Sequence, residues 1–222
     1  MLYIAMAQAQ LFDAIKAGDA AAVNSLLEAD PRLAEAKDEK GVSAILTALY
    51  YRQPQIAHAL REKRDSVDIF EAASLGELRT MKQISQQHPE YLQATSSDGW
   101  TALHLAAFFG HAEIVRWLLE NDVAVDARSA NPMNNTALHA AQVSNHVDVA
   151  RALLEHGASV NEKQHGGFTA LHSAASNGCE PMVELLLEHG ANPSLRDDAG
   201  KSAADHAAEK KHDPVAQRLR RG

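Results

Sequence analysis

One string occurs three times at near-constant spacing: Thr101-Ala-Leu-His104, Thr136-Ala-Leu-His139 and Thr169-Ala-Leu-His172, with Ser202-Ala-Ala-Asp205 as a weaker fourth copy. The copies start 35, 33 and 33 residues apart. Each is followed by an Ala-rich stretch, a polar turn, a Leu-rich stretch and a closing segment such as Leu153-Leu154-Glu155-His156-Gly157-Ala158. A unit of this length is one supersecondary hairpin, too thin to cover its own apolar faces. It gains stability only by stacking on its neighbours, and fewer than about three copies would not fold.

The residues account for the helices directly. Thr101, Thr136 and Thr169 sit where a hydroxyl can cap a first-turn amide, and the His three residues on can return a hydrogen bond, as Glu does in a capping box. Ala106-Ala107, Ala140-Ala141 and Ala174-Ala175 follow because a helix packed on both sides must let backbones approach closely. After turns at Gly110-His111, Asn145-His146 and Gly178-Cys179, Ile114, Val115, Leu118 and Leu119 fall on one face of a second helix. Gly157 and Gly190 then suit the left-handed position that ends a helix.

The N-terminal half carries the same design in degenerate form. Leu11 to Gly18 and Ile69 to Gly76 align with Leu103 to Gly110, and a further copy runs from Gly41 to Leu60. Pro31 and Pro89, Ala36 and Ala94, and Gly41 and Gly99 are each 58 residues apart, which indicates a duplicated two-repeat unit. Between Leu60 and Ile69 there is too little chain for a full hairpin, so an irregular join is expected around Arg61-Glu62-Lys63-Arg64-Asp65.

The period and the marker resemble the ankyrin family, most specifically over Asp98 to Leu195. The resemblance implies an all-α solenoid of about six stacked helix-turn-helix repeats with short β-hairpin-like connecting loops. One ankyrin-repeat domain then covers residues 1–222, with repeats at about 8–40, 41–66, 67–98, 99–133, 134–166 and 167–199 and a capping repeat at 200–222. Departures from the family pattern are local. Ala102, Ala137 and Ala170 stand where the family has Pro after the capping Thr, a loss of about 0.4–1 kcal/mol each. Asp122, Asn134 and Asn145 replace glycines, and these side chains tolerate left-handed backbone better than most.

A net charge of -8 disfavours nucleic acid and anionic lipid as partners. The one basic cluster, Arg218, Arg220 and Arg221 with Lys210 and Lys211, reads as a solvated end cap. The apolar start Leu2-Tyr3-Ile4-Ala5-Met6-Ala7 has no basic flank and is too short for a signal sequence or a membrane span; Met6 is an alternative start to Met1. Cys179 is the only cysteine, so no intramolecular disulfide forms and a reducing cytoplasmic setting is expected. A monomer binding a protein partner is the expectation.

Twelve histidines invite a metal or acid–base reading. However, His104, His139 and His172 occupy equivalent places in successive repeats, and packed helices lie about 8–10 Å apart, too far for shared ligation. They read as capping and inter-repeat hydrogen-bonding groups. Cys179 fills the slot of His111 and His146 and reads as structural. No phosphate-binding, dinucleotide, serine-hydrolase or zinc-protease string occurs, and neither a catalytic residue nor a cofactor is expected.

Ankyrin proteins usually bind through a concave face made of hairpin tips and the exposed side of each first helix. On this sequence those positions are Trp100, Phe108 and Phe109; Met133, Asn135, Val143 and Ser144; His165, Phe168, Ser176 and Asn177; and, in the second and third repeats, Tyr50 and Tyr51, and Ser74 and Leu75. They are rich in aromatics for a chain with only 5% of them, and Trp and Tyr most often anchor interfaces. Trp117, in a Leu-rich second helix, is assigned to packing. The resemblance implies a protein–protein interaction module acting as adaptor, inhibitor or scaffold. The alternative is an enzyme or small-molecule binder using the concave groove or the irregular join at 61–69, where His58, Arg61, Glu62 and Asp65 cluster.

Overall fold

The structure is a computed structural model that describes residues 2–221, with side chains from Ala5 to Arg221; the side chains of the apolar start at Leu2, Tyr3 and Ile4 lie outside the described residues. Seven helix pairs follow one another: α1 (Leu2–Ala17) with α2 (Ala20–Ala29), α3 (Ala44–Tyr50) with α4 (Pro54–Glu62), α5 (Ile69–Leu75) with α6 (Leu78–Gln87), and α7 (Ala102–Phe109) with α8 (Ala112–Glu120). Then come α9 (Ala137–Gln142) with α10 (Val147–Glu155), α11 (Ala170–Asn177) with α12 (Glu180–Glu188), and α13 (Ala203–Glu209) with α14 (Asp213–Arg220). First helices pack on first helices from α1 to α13, and second helices form the layer behind them. This is the expected helical solenoid.

The caps are built as the sequence pattern requires. The Nε2 of His104 faces the Asn135 carbonyl at 3.0 Å, so that nitrogen carries the proton and Nδ1 accepts from the Thr101 hydroxyl at 2.7 Å. His139 does the same with Thr136 and the Phe168 carbonyl, and His172 with Thr169 and the Lys201 carbonyl. Each imidazole therefore closes its own helix and ties it to the loop of the next repeat. Burial pushes all three down, His139 to about 4, which keeps them neutral.

Leu103, Leu138 and Leu171, one per marker, are fully buried, as are Leu118, Leu153 and Leu186 from the second helices. Removing one such side chain costs about 2–5 kcal/mol. Trp117 packs half-buried against this core. Helix α10 ends with Ala158 N–H donating to the Leu153 carbonyl at 3.0 Å around Gly157 at φ 85°, and α12 ends the same way at Gly190. Asp122, Asn134 and Asn145 take φ of 59°, 46° and 56°, the left-handed geometry expected of them.

The connecting loops are hairpin-like, with isolated bridges Lys37 to Ser43, Thr95 to Thr101 and Arg196 to Ser202. The 58-residue kinship appears as matching one-turn 3₁₀ segments, Pro31–Glu35 and Pro89–Gln93. Between α4 and α5 there is no such hairpin. Arg64 instead reaches the fully buried Glu71, and Arg61 pairs with Glu77 at 2.7 Å, bracing the shortened join. Among the described residues no helix is long and apolar enough to cross a membrane.

Candidate functional site: a cleft at a loosened join

Every turn between the two helices of a repeat passes through one left-handed residue: Gly18, Arg52, Gly76, Gly110, Asn145, Gly178 and Lys211. Where that residue is Gly, a side chain of the following repeat occupies the space a Cβ would need. Gln53 lies against Gly18, His111 against Gly76, His146 against Gly110 and His212 against Gly178. Arg52 and Asn145 carry side chains there, and the two joins that follow them, α3 to α5 and α9 to α11, are the least closely packed between first helices. The stack therefore opens where glycine is missing.

At the second of these joins α9 is also short, ending at Gln142 while α7 and α11 run two residues further along the pattern. Asn177 holds the frayed end, its amide donating to the Gln142 carbonyl at 2.9 Å and to Asn145 Oδ1 at 3.2 Å. At the hairpin end, His165 N–H donates to the Met133 carbonyl at 3.0 Å. Closed at both ends, the opening between α9 and α11 becomes a cleft of about 570 Å³.

An aromatic series leads to it. Tyr50 stacks on Phe109 at 5.9 Å between ring centroids, Phe109 meets Phe108 edge-on at 5.0 Å, and Phe108 lies 6.3 Å from Trp100. Phe168 stands on the other side of the cleft, packed on His206 at 5.1 Å. These rings are half-buried, each covering its neighbours while leaving an edge outside. The Tyr50 hydroxyl donates to Asp98 at 2.7 Å, and burial together with that carboxylate pushes its pKa up.

The expected partner-binding positions divide into three groups. Tyr51, Met133, Val143, Ser144, His165 and Asn177 are exposed, with Met133 and Val143 at 47% and 54% on the cleft rim. Tyr50, Leu75, Trp100, Phe108, Phe109, Phe168 and Ser176 are half-buried, so Trp100 and Phe168 are not sealed inside. Ser74 and Asn135 are corrections: Ser74 is 2% exposed, its hydroxyl donating to the Phe70 carbonyl, and Asn135, which precedes the capping Thr just as Trp100 and Phe168 do, is 4% exposed. Its N–H donates to Ser129 Oγ and its carbonyl serves His104, which turns the side chain inward to line the cleft.

Gln142 lines the same cleft and was not among the positions expected from sequence. The signal for it was present: six residues after the capping Thr, the neighbouring repeats place Ala107 and Ala175.

Elsewhere the ionisable groups either have structural partners or face solvent. At the 61–69 join Arg61 is taken up by Glu77 and the Arg64 carbonyl, while His58, Glu62 and Asp65 point into solvent. Arg218 forms a two-pronged pair with Glu184 at 2.7 and 3.0 Å, which fastens the last helix pair to α12. Cys179 immediately precedes α12, partly buried and without a side-chain capping hydrogen bond.

Residues 69–164 match a family model described as ankyrin repeats in three copies, and residues 153–207 match one described as ankyrin repeats in many copies. Ankyrin repeat and SAM domain-containing protein 6 of Mus musculus is 38% identical over 69 residues, 31% of this chain and 8% of that protein. The transient receptor potential cation channel subfamily A member 1 homolog of Caenorhabditis elegans is 33% identical over 120 residues, 50% of this chain and 10% of that protein. The similarity thus spans no more than a tenth of the length of either curated relative.

Proposed function

The chain belongs to the ankyrin-repeat family, whose members are in general protein–protein interaction modules, and we propose that this one grips a protein partner along the strip from Tyr50 to Phe168. The observation that carries the reading is the continuous ring series Tyr50, Phe109, Phe108 and Trp100, which ends at an open cleft with Met133 and Val143 exposed on its rim. Half-buried rings held by one another are rigid, so little side-chain freedom is lost when a partner covers them. Aromatic anchors in a desolvated centre supply most of the binding energy in known interfaces.

The role is that of an adaptor, inhibitor or scaffold, acting as a monomer in a reducing cytoplasm, the setting suggested by a single cysteine. Sedimentation of the isolated chain should show one species across a hundredfold range of concentration; association that disappears in Phe109→Ala would assign the strip to self-contact instead.

The direct test replaces Trp100, Phe109 and Phe168 together with Ala and compares affinity capture with the wild-type chain. The variant should keep its helical circular dichroism and lose the captured partner. Equal capture by both proteins would place the binding face elsewhere.

A further inference from the structure

Gln142 is an exception to the rule that shapes the rest of the inner layer. At its place in the repeat the neighbouring copies carry Ala107 and Ala175, both without exposure, because first helices pack face to face there. Gln142 puts a long amide into that spot and is itself 1% exposed. Among the described residues neither its Oε1 nor its Nε2 has a hydrogen-bond partner, and Asn135 Oδ1, on the lining of the same cleft, has none either. A buried polar atom without a partner is disfavoured by the full loss of its hydration. Three of them gathered in one cleft mark a surface made to be completed by something else.

The atoms specify what completes it. Two acceptors, Gln142 Oε1 and Asn135 Oδ1, call for two N–H donors, and the Gln142 nitrogen calls for an acceptor. A primary carboxamide offers two N–H groups and one C=O; a main-chain peptide offers only one N–H. All three atoms are sealed from solvent in the free chain, so an occupant pairs with them only once the Gln142 and Asn135 side chains turn toward the cleft, a depth better suited to an entering side chain than to a main chain passing over the rim. Charge agrees as well: none of the residues lining the cleft is Asp, Glu, Lys or Arg, in a chain that carries a net charge of -8. An occupant entering between Trp100, Phe168 and Met133 leaves water behind, which only an uncharged group tolerates.

We propose that the cleft between α9 and α11 reads a Gln or Asn side chain on an uncharged, apolar-flanked segment of the partner protein, pairing its carboxamide with that of Gln142. The inference rests on the binding reading above and adds to it the chemistry of the recognised segment.

The test uses the full chain and a displayed library of uncharged nonapeptides with a randomised centre, selected on wild type, on Gln142→Leu, and on Trp100→Ala combined with Phe168→Ala. Wild type should enrich Gln or Asn at the centre, and a synthetic peptide with central Gln should bind about tenfold more tightly than its Leu counterpart. Gln142→Leu, matched in volume, should lose that preference and still retain apolar peptides. In the absence of peptide it should melt about 2–4 °C higher than wild type, because two unpaired atoms are gone. Peptides selected without Gln or Asn, or the same preference in Gln142→Leu, would overturn the amide reading and leave the aromatic strip standing, provided that the double-alanine variant retains nothing. A wild-type chain that selects no peptide at all would overturn both readings. An unchanged melting temperature would mean that the amide is already satisfied by water, and the proposal fails.

Discussion

The imidazole of His146 occupies the space that a Cβ on Gly110 would need, with Cε1 and Nδ1 2.5 and 2.6 Å from that point. Gly110 itself is at φ 85°, so the position demands glycine for two separate reasons, backbone conformation and contact with the next repeat. Gly157, also at φ 85°, has open space around its missing Cβ. Substituting Ala at Gly157 should therefore cost about 1 kcal/mol of backbone strain, and at Gly110 about 2–3 kcal/mol because His146 must also be displaced. Urea unfolding of the two variants measures the difference; equal losses would show that the inter-repeat contact contributes nothing.

Acid should loosen the solenoid well above the carboxylate range. The buried imidazoles of His104, His139 and His172 have folded pKa values held below 6.5 by desolvation, His139 at about 4. Between these limits the unfolded chain binds protons that the folded chain refuses, so stability is full above 6.5 and falls as the pH drops toward 4. His139 alone contributes on the order of 1–3 kcal/mol to the loss. Thermal melts at pH 7.5, 6 and 5 should show a progressive decline, and His139→Gln should flatten it.

The shortened join between α4 and α5 depends on Arg64. Its partner Glu71 is fully buried, so Arg64→Ala strands a carboxylate inside the stack and should cost about 3 kcal/mol. Arg61→Ala breaks a pair whose side chains are each 26% exposed and should cost about 1 kcal/mol or less. Chemical denaturation should rank the two in that order, and Glu71→Gln should recover part of the stability lost in Arg64→Ala.

Asn177 is the clasp at the frayed end of α9. Replacing it with Ala removes both hydrogen bonds to that turn, so amide exchange should quicken over residues 143–147 while global stability changes by about 1 kcal/mol at most. Hydrogen exchange read by mass spectrometry separates this local opening from general loosening. Uniformly faster exchange along the chain would refute the assignment.

Much of the architecture is legible in residue order alone. Thr and His three apart announce a cap, paired alanines a packed first helix, and Leu118-Leu119 or Leu153-Leu154 a buried second helix, because these signals act within one hairpin. The short stretch between Leu60 and Ile69 likewise announces an irregular join, since chain length limits what can be built there. The face that carries the aromatic strip follows from the resemblance to the family. The strip's mutual stacking does not, because Tyr50 on α3 and Phe109 on α7 meet over the intervening α5, two repeats apart.

Sequence by itself determined the period, the caps, the core leucines and the left-handed turn residues, all of which follow from contacts a few positions apart. Tertiary structure decided which joins close and which stay open, because the gap between two repeats depends on what meets at the turn: the His146 ring against Gly110 where there is no Cβ, and a side-chain hydrogen bond from Asn177 where Asn145 replaces glycine. It also turned Asn135 inward and left the Gln142 side chain without a hydrogen-bond partner among the described residues. Neither outcome is visible from residue type, since both are set by the shape of a cleft that exists only once α9 and α11 have been stacked.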